Sequence, residues 1–509
     1  MAVEGPTSGP APRATLPGSR RAPLPGARRL RATDPAAPVD VTVVLRRAPA
    51  DPRPGVGADP ADIAAVEAFA AAQGLEVTSV NPAARSVDLR GPASAMREAF
   101  GVELADYEYG GATFRGRVGV VAVPAHLVDV VVAVLGLDER PQASPQVRVV
   151  GPVGEGFAVA HAPGRGYRPT ELARWYGFPT DVTGAGQTVA IIQLGGGYRQ
   201  EDLDAYFAAL GLSVPKVIPV GVDGATNAPG VDADAEVVLD MQVIGAMANG
   251  VTIVVYFAPN STRGFYNGLA AAIHDRVRDP WIVSISWGAP EPKWTAQALD
   301  AYDALFADAV ALGVSVFAAC GDHGATDGVA GGGLHVDFPS SSPSVVSCGG
   351  TRLGEEPGTE TVWNALETGG GATGGGVSAH FALPDYQHDH GVPARPDGTA
   401  GRGVPDIAAA ADPATGYVIR LNGTDVVAGG TSAVSPLWSA LTALTNERAG
   451  VRTGSPHKRL YATPTALRDV TTGHNGGFTA GPGWDGCTGL GVPAGEPTVT
   501  ALSAAEPTT

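Results

Sequence analysis

Residues 430–444 read GTSAVSPLWSALTAL, a glycine-led loop that becomes an apolar helical pattern within a few residues. Leu437, Trp438, Ala440, Leu441 and Leu444 recur at three- and four-residue steps, which predicts a buried helix starting just past Ser432. Pro436 is compatible with a first turn, whose N–H groups have no helical partner. Those spare N–H groups and the helix dipole favour negative charge beside Ser432, which suits an attacking alkoxide and a developing oxyanion. Two readings stand at this point: Ser432 is an N-cap, or it is a nucleophile. A nucleophilic hydroxyl needs a positioned base. None of the ten histidines lies in a His-Gly-Thr stretch, and position 434 is valine where a Gly-x-Ser-x-Gly elbow needs glycine. Carboxylates are the alternative.

Residues 235–249, AEVVLDMQVIGAMAN, place Glu236 and Asp240 at i and i+4 of a predicted helix, with Cβ atoms roughly 5–6 Å apart on one face. The intervening positions are apolar almost all round, so the helix is expected to be buried. Two desolvated carboxyls this close resist double ionisation and tend to share a proton. The plainer reading is a first-turn acid favoured by the helix dipole, with Asp232 and Asp234 doing the same. A third acid follows the apolar run at 314–320: in VSVFAACGDHGATDG, Asp322 sits at the C-terminal end of a predicted strand, where α/β sheets build their sites. WIVSISWG at 281–288 reads as a second strand of the same kind.

The helix acids, the strand-end aspartate and the GTSA serine together resemble the sedolisin family of serine-carboxyl peptidases. The resemblance runs over nearly all of the chain after residue 165, through YRPTELARWYGFP (167–179), VAIIQLGGGY (189–198), VTIVVYFAPN (251–260), HVDFPSSSPSVVSCGGTRL (335–353) and GRGVPDIAAAADP (401–413). Several ordered matches are far more specific than any single motif. The resemblance implies an α/β, subtilisin-like domain with a parallel sheet flanked by helices. It also implies that Ser432 attacks, Glu236 is the base backed by Asp240, and Asp322 lines the oxyanion hole. Trp287 matches a tryptophan near that acid network, whereas Gln193 stands where members carry a glutamate and His323 where they carry a serine. Gln193 can hydrogen-bond but cannot titrate, which puts its tuning of Glu236 in doubt.

Acids in place of histidine have a chemical reason. Near pH 4 an imidazole of pKa about 6.5 is already protonated, whereas a glutamate of pKa about 4.3 is still partly ionised. Asp322 would have to be protonated to donate to an oxyanion, so the expectation is an endopeptidase active in acid and lost near neutrality. A glycosidase could use two carboxyls, but Glu236 and Asp240 project from one helix face and cannot flank a sugar bond. The LGGGY stretch at 194–198 does not fit a G-x-G-x-x-G nucleotide fingerprint.

Asp469-Val470 and the stretch AGPGWD at 480–485 supply two carboxylates and unhindered glycine carbonyls, a hard-oxygen set. The resemblance implies one Ca2+ held by Asp469, Val470, Gly481, Gly483 and Asp485; the alternative is a Gly-Pro turn with solvated aspartates. It also places Asp337 at the substrate pocket, where a basic side chain would find a charge-assisted contact, unless Asp337 is a structural turn acid. Gly374 and Gly375, in the run 374–376, resemble glycines that line the peptide cleft, although any flexible loop reads the same. His388 and His390, at i and i+2 in a polar loop, are read as solvated.

A net charge of −17 argues against a nucleic-acid partner, and no apolar run is long enough to span a bilayer. The three cysteines, Cys320, Cys348 and Cys487, exclude a disulfide scaffold. Residues 1–35, rich in Pro, Arg and Gly, are expected to be disordered and do not read as a signal peptide. Residues 36–145 read as a small α+β, ferredoxin-like domain with an alternating strand at 39–45, a helix from Asp59-Pro60 to Gly74, a helix near 92–100 and another from Pro124. The resemblance makes it an inhibitory prodomain; an unrelated accessory domain is the alternative. Residues 146–166 read as an exposed Gly/Pro/Ala linker, the site of self-cleavage in a zymogen, leaving 167–509 as the peptidase. The expected partners are protein or peptide substrates and the chain's own prodomain, with a monomeric, extracellular enzyme implied by the resemblance.

Overall fold

The computed structural model describes residues 12–153, 166–356 and 358–506, which fall into two compact units. One comprises the chain up to residue 141 with 261–263 and 294–304; the other comprises 142–260, 264–293 and 305 onward.

The N-terminal unit is built on a four-stranded antiparallel sheet in the order Glu76–Asn81, Ser86–Pro92, Pro38–Leu45, Val131–Leu135. Helices Pro60–Ala72 and Ala93–Phe100 complete the ferredoxin-like pattern. Asp59 caps the first helix by accepting from Ala61 N–H at 2.8 Å, and Pro60 takes the position where no donor is needed. The helix expected from Pro124 is a single turn, Ala125–Leu127, because the β-branched run that follows pairs as a strand.

The N-terminal stretch also departs from expectation. Of residues 1–35, those from 12 onward are described and ordered; 1–11 lie outside the described residues. Arg13–Thr15 pairs antiparallel with Ala122–Pro124, and Arg28–Ala32 pairs with Ala105–Tyr109. Leu16 is buried, Arg13 donates to the Glu98 carbonyl at 3.0 Å, and Arg31 pairs with Asp106 at 2.9 Å. The arginines that made this stretch look unfoldable are its fasteners.

The larger unit carries an eight-stranded sheet. Its path is Lys216–Gly221, Thr252–Phe257, Thr188–Gln193, Ile282–Ile285, Ser315–Ala319, Val346–Leu353 and Glu360–Val362, with Ile407–Ala410 beside Val346–Leu353. All pairings are parallel except that of the terminal strand Glu360–Val362. Strands such as TIVVYF and IVSI are apolar almost throughout because helices cover both sheet faces. Helix Asp234–Met247 is buried along its whole length, and helix Val434–Ala449 packs on it and on Ile282–Ile285. Gln193 ends one parallel strand, Ser286 and Trp287 follow a second, and Asp322 follows a third. The acids and the serine therefore meet at the carboxyl edge of the sheet.

The stretch expected to be an exposed linker is bonded into this unit. Ser144–Pro145 pairs antiparallel with Trp287–Gly288, and Arg148–Pro152 pairs with Val426–Gly429. Its β-branched Val147, Val149 and Val150 outweigh the glycines in deciding local structure. Residues 154–165 of that stretch lie outside the described residues.

Candidate active site

Ser432 lies in a single helical turn, Thr431–Ala433, that leads into helix Val434–Ala449. Gly430 makes the approach possible: its φ is 110°, and a Cβ there would lie 2.2 Å from the Gln146 carbonyl oxygen and 2.6 Å from Asp322 Oδ2. Ser432 Oγ donates to Glu236 Oε2 at 2.7 Å. Its backbone N–H donates to the carbonyl oxygen of Gln146 at 3.1 Å. Ser432, Glu236 and Asp240 are 0% exposed and Asp322 is 2% exposed.

Behind Glu236 stands Asp240, both of whose oxygens accept: Oδ1 from Ser286 Oγ at 2.7 Å and Oδ2 from Gln193 Nε2 at 2.7 Å. Trp287 Nε1 donates to Gln193 Oε1 at 2.9 Å. An indole N–H can only donate, so Trp287 fixes the Gln193 amide with its NH2 toward Asp240. Burial pushes both carboxyls well above the ordinary range. For Glu236 the negative charge of Asp240 adds to that, while the hydrogen bonds from Ser286 and Gln193 hold Asp240 down. The two carboxyls therefore titrate as a pair, and close, desolvated acids resist double ionisation.

On the other side of Ser432, Asp322 Oδ1 accepts from Thr431 N–H at 2.8 Å and from Thr431 Oγ1 at 2.9 Å. Burial raises Asp322 to about 6, against the hydrogen bonds from Thr431 and the charge of Arg148. With Oδ1 already used twice, a proton on Asp322 falls on Oδ2, the oxygen that crowds the face of Gly430 together with the Gln146 carbonyl.

Asp337, in the two-residue strand Asp337–Phe338, is fully buried and accepts from the Gln146 side-chain Nε2 at 3.4 Å. Burial raises it, and the charge of Asp327, itself raised to about 7 by burial, adds to the effect. Gly374 and Gly375 pack on backbone: a Cβ at Gly374 would lie 1.9 Å from the Cys320 carbonyl oxygen, and one at Gly375 would lie 2.2 Å from that of Gly486. Gly374 N–H also donates to the Gly321 carbonyl at 2.7 Å, next to Asp322 in the chain. The three cysteines are buried and free.

The proposed calcium ligands come together in one loop cluster. Asp469 Oδ2 accepts from Gly483 N–H at 2.8 Å, Asp485 Oδ2 accepts from Gly481 N–H at 3.2 Å, and Thr488 Oγ1 lies 3.4 Å from the Val470 carbonyl oxygen and 3.3 Å from Asp485 Oδ1. Space is open beside both glycines, and burial raises Asp485, a carboxyl that a cation would stabilise in its charged form. Among the described residues no three His, Cys, Asp or Glu side chains cluster, so an ion here would rely on backbone carbonyls, as calcium readily does.

Sequence reasoning passed over Gln146, Arg148, Ser286 and Thr431. Ser286 could have been found, since it lies between the strand IVSI and Trp287; the cleft position of Gln146 and Arg148 had no sequence signal.

Comparisons with known proteins give the family. Residues 53–140 match the family model described as Pro-kumamolisin, activation domain. The chain is 47% identical over 456 residues to Kumamolisin of Bacillus sp. (strain MN-32), covering 86% of this chain and 82% of that protein. Pseudomonas sedolisin, described as a serine-carboxyl proteinase and solved with two molecules of pseudo-iodotyrostatin, superposes with a TM-score of 0.60 at 30% identity, over 67% of this chain and 98% of that one. Fervidolysin from Fervidobacterium pennivorans, a keratinolytic enzyme related to subtilisin, shares the fold alone: 14% identity and a TM-score of 0.50, over 98% of this chain and 65% of that one.

Proposed function

Because the chain belongs to the sedolisin family of serine-carboxyl peptidases and carries an activation domain, we propose that it is an extracellular endopeptidase, made as a self-processing zymogen and active in acid. The observation that carries the reading is the hydrogen bond from Ser432 Oγ to Glu236 Oε2 at 2.7 Å, with Asp322 Oδ2 on the opposite side. Ser432 Oγ attacks the peptide carbonyl as Glu236 takes its proton. The oxyanion receives a hydrogen bond from Ser432 N–H and a second from protonated Asp322. Glu236 then returns the proton to the leaving amine, and water repeats the cycle on the acyl-enzyme. The negative charge of Asp240, whose oxygens accept from Ser286 and Gln193, raises the proton affinity of Glu236 wherever that carboxyl is ionised. Turnover needs Glu236 without its proton and Asp322 with one, so activity falls as pH rises past about 6.

The buried carboxyl of Asp337 suits a polar side chain preceding the cleaved bond. Asp469, Asp485 and the carbonyls of Val470, Gly481 and Gly483 would hold one Ca2+, which supplies charge balance to the loop and takes no part in the chemistry. The N-terminal unit is the intramolecular inhibitor, the substrates are proteins or peptides, and the working enzyme is a monomer.

The test is to shift the purified chain and Ser432→Ala to about pH 4, where carboxylates are partly ionised, and to follow chain size and peptide cleavage together. Ser432→Ala should lower kcat on the order of 10⁶-fold. Full activity in that variant, or a profile flat from acid to neutrality, overturns the reading.

A further inference from the structure

Two buried acids meet beside the Gln146 side chain. Asp337 is 0% exposed, and Asp327, in a turn with φ 47°, is 4% exposed. Both lie against one glycine: a Cβ at Gly321 would stand 2.7 Å from Asp327 Oδ1 and 3.4 Å from Asp337 Cβ. The two side chains hydrogen-bond one another. Two carboxylates have no proton to place between them, so this contact exists only while at least one of the pair is protonated. Burial raises both, Asp327 to about 7, and the charge of Asp327 and the hydrogen bond with it raise Asp337 further.

Asp327 Oδ2, Asp337 Oδ1 and Gln146 Oε1 are buried without a hydrogen-bond partner. The Gln146 carbonyl accepts from Ser432 N–H at 3.1 Å while its side-chain Nε2 donates to Asp337 Oδ2 at 3.4 Å. The side chain that meets the pair is therefore the one attached to the carbonyl at the serine. An amide brings both a donor and an acceptor, which a carboxyl pair holding a proton can answer on both counts. The other charged groups facing the pair are Lys293, which opposes the rise of both acids, Asp322, which adds to it, and Glu291, which adds to that of Asp327. Glu291 is itself held by Ser378 Oγ at 2.5 Å and Ala379 N–H at 2.9 Å. Burial raises the neighbouring Cys320 thiol, so it brings no charge.

We propose that Asp327 and Asp337 form an amide-selecting pocket, whose shared proton makes the enzyme prefer Gln or Asn over Arg or Lys before the cleaved bond in acid, the preference reversing toward neutral pH. The inference rests on Ser432 acting as described under the proposed function and names the side chain that the same site selects. In acid an entering guanidinium finds no negative charge on the pair and meets the like charge of Lys293. As the pair ionises, a charge-assisted contact becomes available to it. Binding and titration are linked: a cation that lowers the titration of the pair by one unit gains about tenfold across that titration. Asp327 acts through Asp337, as a positioning residue that gives the shared proton its second seat.

The experiment gives the full chain, after exposure to about pH 4, two peptides that differ only in having Gln or Arg before the cut. For each, kcat/KM is measured from about pH 4, the ordinary carboxyl range, to about pH 7, where Asp327 titrates. Taking the ratio cancels the pH dependence that both peptides owe to Ser432, Glu236 and Asp322. Gln should be favoured at the acid end, and the Arg-to-Gln ratio should rise at least about tenfold toward neutrality. Asp327→Ala leaves a carboxylate at Asp337 without its partner's proton, so the rise should move to higher pH. Asp327→Asn, whose amide still donates to Asp337, should stay nearer the parent. Arg favoured at the acid end, or a ratio flat across the range, overturns the inference and leaves the proposed function standing. A rise in Asp327→Ala at or below the parent's pH overturns the part given to Asp327. Should that variant not fold, the parent series still decides. Cleavage of both peptides that persists in Ser432→Ala overturns the proposed function itself.

Discussion

Asp322 accepts from Thr431 with Oδ1, and under the proposed function it would donate to the oxyanion from Oδ2; substitution can separate the two. Asp322→Asn keeps an acceptor for Thr431 and puts an N–H, which does not titrate, where Oδ2 stands. The fall in activity past about pH 6 should therefore disappear from its profile. Asp322→Ala, lacking the donor, should lose about 10²–10³-fold in kcat across the range. An Asn variant that keeps the parent's alkaline limb would assign that limb to another group. Gln193 is informative in the opposite direction. Its amide donates to Asp240 at every pH, whereas a glutamate there would bring a further negative charge next to two carboxyls already raised by burial. Gln193→Glu should therefore move the acid limb of the profile to higher pH, measured as kcat against pH on a fixed peptide. The motifs pointed to Ser432, Glu236, Asp240 and Asp322, which the structure brings together, but the contacts of Thr431, Ser286 and Gln193 with them are visible only in the fold.

At the scale of elements, helix Asp234–Met247 carries Glu236, the proposed base, and its first turn ties it to neighbouring loops. Asp234 accepts from Gly197 N–H at 2.9 Å and Gly230 N–H at 2.6 Å, tying the LGGGY turn to the helix start. Asp234→Ala leaves two buried or half-buried N–H groups without an acceptor, at a cost of about 1–3 kcal/mol each where burial is complete. A lower Tm together with reduced kcat is expected; a lower Tm with kcat unchanged would mean the helix keeps its position without the tie. The loop cluster at 469–485 makes a separate prediction. If Ca2+ binds there, a strong chelator removes a stabilisation of about 2.7 kcal/mol at a hundredfold excess of ion over Kd. The loss should be visible as a drop in Tm of the Ser432→Ala chain that added Ca2+ restores. An unchanged Tm would count against the ion. The segment at 146–153 shows where element prediction failed. Its glycines and prolines read as a linker, yet strand pairing is decided by a free edge, here Thr424–Gly429, that no local pattern reveals.

For the whole molecule, pH sets stability from two sides. Glu236, Asp240, Asp322 and Asp327 are raised by burial, so their contribution is complete below the unfolded carboxyl pKa of about 4 and is lost as pH climbs through their folded values, about 6 for Asp322 and about 7 for Asp327. Asp406 runs the other way. Despite its burial, Arg402 and His457 hold it well below the usual range, so its contribution is present above about pH 4 and lost as pH falls further. The Tm of the Ser432→Ala chain should therefore peak between these limits and fall on both sides. A Tm that rose steadily from mild acid through neutrality would contradict the burial of these acids. The net charge of −17 acts in the same direction, since self-repulsion grows as the carboxyls ionise.

The sequence by itself determined what depends on residue type and short spacing. It decided a buried two-acid helix, apolar strands of a covered parallel sheet, a strand-end aspartate, a serine at a helix start, and the small α+β unit ahead of them. These follow because periodicity and capping are local physics. Only the tertiary structure decided which oxygen of each carboxyl is satisfied, that burial raises both Glu236 and Asp240, and that Gln146 and Arg148 lie against Ser432 and Asp322. Those facts depend on desolvation and on contacts between residues 174 to 286 positions apart, such as Arg148 with Asp322 and Gln146 with Ser432. No window of sequence holds both partners.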